Sequence, residues 1–216
     1  MYSILALTLL GAAVVYGQVP HHCFSPPQLT FRATQYNHEF TTFRQFDAEY
    51  DAMGEKIAFD EVEQSGPAPG RQYYRIIVLH RENIAYEYNR QTKTCKKGQA
   101  GPFFPFAVPE NATFEAEFYV GGPGEEVEAV EWSDRSATAR EAWVGVFSRF
   151  NCYPLRSFFL NGRNNETLTT LYFDLVQGIV DPQLFIPPQE CLQAEKTEGI
   201  SDQVARLTSM YTRRFQ

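Results

Sequence analysis

The chain has 216 residues, of which 44% are hydrophobic and 15% are aromatic, and its formal net charge at pH 7 is −7. A chain of this length and apolar content can bury a substantial core, which excludes a mainly disordered protein. The acidic balance provides no general attraction to phosphate backbones and argues against nucleic acid as a partner. The aromatic share, with 18 Phe and 12 Tyr, favours β structure, in which rings pack well on a pleated surface.

The first seventeen residues have the composition of a secretory signal peptide. They form an uncharged apolar stretch with small residues near its end, and cleavage after Gly17 would leave Gln18 as the mature N-terminus. An uncleaved membrane anchor is the alternative. The apolar run over 4–16 is shorter than a spanning helix requires, and no later stretch reaches that length. We therefore predict a secreted protein with a signal peptide over 1–17 and no transmembrane anchor.

The residues that follow predict many β-strands and few helices. Apolar and polar residues alternate most regularly over 113–120, and the run 76–79 is apolar on both faces, as in a central strand. Turn residues separate the other predicted strands, which are 29–36, 40–50, 56–64, 84–88, 126–132, 142–150, 157–160 and 167–176. Short connections favour antiparallel neighbours, so we expect two stacked antiparallel sheets or a curled partial barrel.

The C-terminal segment has helical spacing instead. Its apolar residues stand at 204, 207, 210, 211 and 215, and Ser201 precedes them as a suitable N-cap. Arg213 and Arg214 lie where the helix dipole favours positive charge. We predict a β domain over 18–191 followed by a helical extension over 192–216 that packs on it. A frayed tail and a partner-binding helix are the alternatives.

Two further features agree with secretion. Asn111 and Asn165 each begin an Asn-x-Thr sequence, the acceptor of N-glycosylation. Four cysteines follow the signal peptide, and an even number in an oxidising compartment predicts two disulfides. Three connectivities are open on this argument alone. No Cys-x-x-Cys sequence or Cys/His pair at zinc spacing is present.

No motif in the sequence predicts catalysis. Gly-x-Ser-x-Gly, His-Glu-x-x-His and glycine-rich phosphate loops are absent, and oxidised cysteines leave no thiol for a Cys–His pair. Carboxylates are concentrated at Asp47, Glu49 and Asp51 and in an acidic patch over 125–134, but neither run has the spacing of an EF-hand. We expect no enzyme and no organic cofactor, and the sequence assigns no metal ligands.

Five segments, in the same order along the chain, resemble the ependymin family of secreted glycoproteins. They are FDAEYDAMGEKIAFDEVE (46–63), YEYNRQTKTCKK (86–97), FPFAVPENATFEAEFYVG (104–121), FNCYPLRSFF (150–159) and GIVDPQLFIPPQEC (178–191). The resemblance covers nearly the whole mature domain from Cys23 to Cys191. It implies a mainly β fold of two stacked antiparallel sheets, a curled sandwich or half-barrel with an apolar pocket, similar to bacterial lipoprotein carriers.

The same resemblance implies several further properties. It pairs Cys23 with Cys152 and Cys95 with Cys191. It implies a non-enzymatic secreted glycoprotein, often a homodimer, associated with calcium, with lipid or other hydrophobic ligands and with extracellular matrix. Vertebrate relatives carry an additional cysteine pair that this chain lacks, and this chain extends past Cys191. The packing of this extension, and any dimer built through it, therefore lie outside the resemblance.

Two functions are compatible with such a domain. The first is a carrier that holds a lipid-like ligand between two sheets and responds to calcium. On the alternating strand faces, the expected pocket residues are Tyr86, Tyr88, Phe114, Phe118, Phe147 and Phe173. The second is an extracellular-matrix or cell-adhesion glycoprotein with calcium-dependent self-association and no ligand. Alternation does not separate these, because residues that line a pocket and residues that fill a core alternate alike.

The segment over 178–191, which we call the strap, combines apolar residues with three prolines. Asp181-Pro182 is expected to end the preceding strand, because proline cannot donate to a strand ladder. Leu184, Phe185 and Ile186 are then expected to lie over the apolar interior, and Cys191 is expected to tie the strap to the domain.

Overall fold

The computed structural model describes residues 20–65, 70–134, 141–161 and 166–208. The strands within these ranges are β1 (Gln28–Asn37), β2 (Thr42–Asp51), β3 (Lys56–Ser65), β4 (Arg71–Leu79), β5 (Ile84–Asn89), β6 (Thr94–Gly98), β7 (Thr113–Val120), β8 (Val127–Asp134), β9 (Glu141–Ser148), β10 (Pro154–Asn161) and β11 (Glu166–Gln177). A 3₁₀ helix (Pro182–Phe185), α1 (Gln189–Leu192) and α2 (Asp202–Thr208) follow.

All of these strands belong to one antiparallel sheet, in the order β6-β5-β4-β3-β2-β1-β11-β10-β9-β8-β7. Most strands pair with their neighbours in sequence, and β1 pairs with β11 in the middle, which joins two halves of the chain into one sheet. The sheet is not closed, because β6 and β7 lie at its two edges. This arrangement confirms the predicted mainly β antiparallel fold, with both halves in one continuous sheet.

Two local departures from the predicted strands have simple causes. The strand β6 is not predicted by the sequence, because TCKKG has no apolar alternation. In β7 the register shifts by one residue: Phe114 pairs with Trp132, whereas Ala116 pairs with Glu131. This bulge turns Phe118 to the face opposite Phe114, although the sequence alternates regularly through both.

The segment 99–112, which we call the crossing segment, connects the two edge strands and therefore has to pass over one face of the sheet. We call that face the inner face. Ala100, Phe103 and Phe106 pack with the core residues of β1–β5, and Val108 and Ala112 pack with those of β8–β11. The crossing segment thus supplies a second layer over the sheet without forming a strand of its own.

Phe106 is the central contact of the crossing segment. Its ring lies 4.9 Å from that of Tyr50, 5.8 Å from that of Phe31 and 5.9 Å from that of Tyr172, measured between centroids. The Phe106 N–H also donates to the Tyr50 hydroxyl oxygen at 3.1 Å. One residue therefore joins β1, β2 and β11 to the layer that covers them.

The N-terminal segment holds the crossing segment from the other side. The Ser25 N–H donates to the Phe106 carbonyl, and the Val108 N–H donates to the Cys23 carbonyl, both at 2.9 Å. The disulfide between Cys23 and Cys152 then fixes this short pairing to the turn that follows β9. This disulfide has the pairing that the family resemblance implies.

The helix α2 also packs on the inner face. Ser201 caps it, because the Val204 N–H donates to Ser201 Oγ at 3.2 Å. Val204 and Leu207 are buried among the core residues of β1–β5. The predicted helix is thus present over 202–208, and its predicted continuation through residues 210, 211 and 215 lies outside the described residues.

The strap lies on the outer face, opposite the crossing segment. Leu184 and Phe185 are buried against Ala58, Ile77 and Tyr86, which belong to β3, β4 and β5. The sequence predicts that the strap lies over the apolar interior. The strap covers the outer face instead, which is possible because β3 and β4 carry apolar residues on both faces. Ile186, also expected to be covered, is 55% exposed.

Both ends of the strap are fixed. At its start, the backbone N–H groups of Val180 and Asp181 donate to the Glu49 carboxylate at 3.3 and 2.8 Å. At its end, Cys191 forms the second disulfide with Cys95 of β6, again in the pairing that the resemblance implies. A carboxylate on β2 and a disulfide on β6 therefore hold the strap across the strands between them.

Replacement of Phe106 by Ala should strongly destabilise the fold. The free energy of unfolding should fall by about 3–5 kcal/mol, the usual cost of removing a buried aromatic ring. Denaturant titration with the disulfides intact measures this change. Phe104→Ala is the matched control, because Phe104 is 37% exposed in the same segment and its loss should matter little. Equal effects of the two substitutions would show that the crossing segment is not held through Phe106.

Replacement of both Cys95 and Cys191 by Ser should release the C-terminal end of the strap. The disulfide closes a loop with a sequence separation of 96 residues, and loss of such a link typically costs about 2–5 kcal/mol of stability. Hydrogen exchange measured by mass spectrometry should become faster over 178–191. Unchanged exchange in this peptide would contradict the tethering role of the disulfide.

Candidate ligand-binding face

The inner face changes from polar to aromatic along one row of directly paired residues that crosses the sheet from β4 to β7. In spatial order the row is Gln72, Glu63, Arg44, Gln35, Thr170, Ser157, Gly145, Trp132 and Phe114. Residues directly opposite each other share a face of the sheet. The row is therefore polar on β4 through β10 and aromatic on β8 and β7, so this part of the inner face is amphipathic.

Arg44 and Glu63 of the polar part of the row form a buried ion-pair network with Glu61, which lies one pleat away on β3. Arg44 Nε lies 3.1 Å from Glu61 Oε1 and 3.0 Å from Glu63 Oε2. The side chains of Arg44 and Glu61 are 3% and 0% exposed. Buried charges are retained only when they are paired and hydrogen-bonded, because desolvation otherwise costs several kcal/mol per ion. We refer to Gln35, Arg44, Glu61 and Glu63 as the polar patch.

The carboxyl group of Glu61 is held in an unusual electrostatic state. Burial raises the pKa of Glu61 to about 7, and the negative charges of Glu63 and Glu87 add to this shift. The positive charge of Arg44 and a hydrogen bond from Gln203 act in the opposite direction but do not cancel it. Near neutral pH, Glu61 therefore exchanges between its protonated and ionised forms.

The helix α2 covers the polar patch through hydrogen bonds to carboxyl groups of the sheet. Gln203 Nε2 donates to Glu61 Oε2 at 2.8 Å, and Arg206 Nε donates to Glu166 Oε1 at 2.7 Å. The Ser201 hydroxyl contacts the Glu87 carboxylate on β5. The helix is thus attached to the inner face by polar contacts as well as by its two buried apolar residues.

The aromatic part of the row lies within a larger group of rings, all of them buried except Phe114, which is partly buried. We call this group, which consists of Phe114, Trp132, Trp143, Phe147 and Phe159, the aromatic patch. Gly145 has a specific role in it: a Cβ atom at this position would lie 2.2 Å from Trp143 Cζ2. Only glycine therefore lets the Trp143 ring lie across β9. Val108 and Ala112 of the crossing segment cover the patch.

Comparison with known proteins places this architecture in a family. A model of the ependymin family matches residues 68–191, which is more than half of the chain. Mammalian ependymin-related protein 1 of Rattus norvegicus is 31% identical over 178 residues, which are 82% of this chain and 79% of that protein. The chain belongs to the ependymin family. Ependymin-2 of Carassius auratus is also similar, at 22% identity over 174 residues covering 78% of this chain and 79% of that protein.

Solved structures extend the comparison at the level of the fold. An uncharacterized conserved protein from Thermus thermophilus has a TM-score of 0.52 and 11% identity over 81% of this chain and 91% of that chain. The LolA superfamily protein NE2245 from Nitrosomonas europaea matches 78% of this ependymin-family chain and 93% of its own, with 8% identity and a TM-score of 0.32. The first likeness is one of fold alone, and the second is too weak to support a conclusion about the site.

The structure separates the six aromatic residues that the sequence analysis proposes as pocket residues. Phe114 and Phe147 belong to the aromatic patch on the inner face. The other four lie on the outer face: Tyr86 and Tyr88 beneath the strap, Phe118 beyond the bulge of β7, and Phe173 beside Arg32. The inner face therefore brings together only two of the six.

Sequence reasoning misses Trp132 and Trp143 of the aromatic patch. The sequence does contain a signal for Trp143. Trp143, Gly145 and Phe147 occupy alternate positions on β9, so Trp143 shares a face with Phe147, which is one of the predicted pocket residues. Trp132 can be placed only once the register between β7 and β8 is known, since its partner Phe114 is on the other strand.

Other predicted features of this ependymin-family chain have mixed outcomes. Asn111 is exposed, as a glycosylation acceptor should be, and Asn165 lies outside the described residues. In the acidic patch, Arg149 Nε is 3.8 Å from Glu128 Oε1, and it also contacts Glu117 at 3.4 Å. Over the described ranges, no group of three or more His, Cys, Asp or Glu side chains could hold a metal ion. The calcium response remains a prediction.

The helices within the described part of the chain are short. None of them is both long enough and apolar enough to cross a membrane.

The state of Glu61 predicts a pH-dependent stability. A carboxyl group whose pKa is raised by folding stabilises the protein fully below its unfolded value, and this contribution is lost as pH rises through the folded value. An ordinary pKa of 4.5 and a folded pKa of about 7 place the loss between about pH 5 and pH 7.5, with a size of roughly 3 kcal/mol.

Glu61→Gln should remove this loss, since an amide does not ionise. Denaturant titrations from acidic to mildly alkaline pH measure the effect, and the variant should be the more stable protein above neutrality. Asp47→Asn, which replaces an exposed carboxylate on the outer face of β2, is the control and should keep the wild-type pH profile. A parallel decline in wild type and Glu61→Gln would contradict the assignment to Glu61.

Proposed function

We propose that this ependymin-family protein is a secreted, glycosylated carrier of a hydrophobic, lipid-like small molecule, without catalytic activity. The observation that carries the proposal is the amphipathic inner face. A row of paired residues passes from buried charges to aromatic rings packed edge to face, and irregular chain and one short helix cover it. An amphiphilic molecule presents the same sequence of polar and apolar groups.

The apolar part of the ligand is expected to bind at the aromatic patch. Phe114 is only partly buried at its margin, next to the ring of Trp132 at a centroid distance of 5.8 Å. Removal of apolar surface from water contributes about 25 cal/mol per Å². A long apolar chain laid against these rings would therefore provide the main driving force for binding.

The cover of the aromatic patch is compatible with ligand exchange. Val108 and Ala112 belong to a segment without strand or helix. His22, in the N-terminal segment, packs against Trp132 with their ring centroids 4.6 Å apart. Such irregular segments move more readily than strands of a sheet, because fewer backbone hydrogen bonds hold them.

Secretion is supported by the sequence and by the disulfides. The signal-like segment over 1–17 precedes a domain whose four cysteines form two disulfides, as expected in an oxidising compartment.

The adhesion function has weaker support, because it needs carboxylates that bind calcium and several of the candidates already have partners within the protein. Glu49 accepts hydrogen bonds from the strap, and Glu117 and Glu128 contact Arg149. Calcium-dependent self-association, dimerisation and matrix binding therefore stay predictions.

A direct test combines lipid analysis with tryptophan fluorescence. Protein purified from a secreting host should release a lipid on organic extraction, and the delipidated protein should bind an apolar probe such as N-phenyl-1-naphthylamine with saturation. Trp132 and Trp143 are the only tryptophans of the chain, so energy transfer from them to the probe reports binding of the probe to the protein.

Matched variants locate the probe. Phe147→Ala should weaken binding, because it removes a buried ring of the aromatic patch. Phe173→Ala should have no effect, because this ring lies on the outer face. Protein that yields no lipid and shows no saturable probe binding would refute the carrier function, and equal sensitivity to both variants would refute its location.

A further inference from the structure

Three buried polar atoms of the polar patch have no hydrogen-bond partner among the described residues. They are Gln35 Oε1, Arg44 Nη1 and Glu61 Oε1. The three residues are 0%, 2% and 1% exposed, respectively. Buried polar groups in folded proteins almost always have a partner, and each exception calls for an explanation.

These atoms belong to one place on the inner face. Gln35 on β1 is directly opposite Arg44 on β2. Glu61 lies one pleat away on β3, because its direct partner Phe46 shares the inner face of β2 with Arg44. Side chains in such direct and diagonal positions are within reach of one another.

The hydrogen-bonding character of the three atoms follows from their neighbours. Gln35 Nε2 donates to the Arg206 carbonyl and to the Thr170 hydroxyl. A carbonyl only accepts, so this contact fixes the orientation of the amide and leaves Gln35 Oε1 as an acceptor. Although Glu61 Oε1 is 3.1 Å from Arg44 Nε, that N–H is aligned with Glu63 Oε2 instead.

When Glu61 is ionised, above its pKa of about 7, the unpaired set thus consists of two acceptors, on Gln35 and Glu61, and one donor, on Arg44. Its complement is a group with at least two O–H or N–H donors and one acceptor. The charge of the polar patch also limits which headgroup can bind, because Arg44, the one cation of the patch, already faces the carboxyl groups of Glu61 and Glu63. An anionic headgroup would be repelled by those carboxylates. An uncharged headgroup with two hydroxyl groups avoids this repulsion and supplies both the two donors and the acceptor.

The position of the polar patch relative to the aromatic patch sets the size of the ligand. Four strand steps separate Gln35 from Trp132 along the row of paired residues. At the usual spacing between strands this is roughly 20 Å along the sheet, which is comparable to a long acyl chain. One molecule can therefore reach both patches.

We propose that Gln35, Arg44 and Glu61 form a headgroup subsite for a single-chain lipid with an uncharged, dihydroxylated head, of the monoacylglycerol type. The subsite rests on the proposed carrier function and specifies its ligand class. One hydroxyl donates to Gln35 Oε1, the other donates to Glu61 Oε1, and a head oxygen accepts from Arg44 Nη1.

Competition with three lipids that share one acyl chain tests this subsite. At about pH 8, where Glu61 is mainly ionised, 1-oleoylglycerol should displace an apolar probe at a concentration about tenfold lower than methyl oleate, which has no hydroxyl donor. Ionised oleate also lacks a donor and is repelled by the carboxylates, so it should bind no better than the ester. The wild-type protein alone is sufficient for this comparison.

A matched pair of variants then locates the effect. Gln35→Met should reduce the preference for 1-oleoylglycerol over methyl oleate by about fivefold, since it removes one acceptor. Gln45→Met makes the same replacement at an exposed position of the neighbouring strand and should leave the preference unchanged.

The outcomes separate the subsite from the carrier function. Equal binding of 1-oleoylglycerol and methyl oleate would overturn the subsite and leave the carrier function intact, with the three atoms serving solvent only. Tighter binding of oleate would also overturn it, in favour of an anionic head. Failure of all three lipids to displace the probe would overturn the carrier function together with its subsite.

Discussion

The connection between the two edge strands is the constraint on which the rest of this structure depends. Because β6 and β7 lie at opposite edges of an open sheet, the crossing segment has to traverse the inner face, and its apolar residues then form the layer that the sheet lacks. Phe106 fixes the segment in the middle, and the disulfide of Cys23 fixes the N-terminal segment that pairs with it. The inner face is consequently covered by chain that carries few backbone hydrogen bonds.

The two faces of the sheet are stabilised by different means. On the outer face, the strap is held at its ends by the Glu49 carboxylate and the disulfide of Cys191, and between them by the burial of Leu184 and Phe185. On the inner face, α2 is held by carboxyl groups whose burial is unfavourable, and burial raises the pKa of Glu61. A buried ion network of this kind is weak support for stability, since apolar residues of similar volume often serve as well. A role in binding offers a physical reason for its presence.

Local patterns in the sequence predict most of the strands, because each depends on alternation within a few residues. The strand at 113–120 matches β7, yet its bulge separates Phe114 from Phe118, and no local pattern shows a register shift. The face chosen by the strap is likewise not predictable, since β3 and β4 are apolar on both sides. The amphipathic row is still less accessible from the sequence. It exists only through eight successive strand pairings, and Arg44 and Trp132, far apart in the chain, share a row only because of them.

Charged residues stand at one end of a row whose other end is aromatic, and the proposed carrier function gives this arrangement a physical purpose. A crystal structure of the protein with 1-oleoylglycerol tests this carrier function most directly. We expect an acyl chain against Trp132 and Trp143 on the inner face, with the glycerol head within hydrogen-bond distance of Gln35 and Arg44. A ligand bound elsewhere, such as beneath the strap on the outer face, would contradict it, as would an inner face without ligand at saturating concentration.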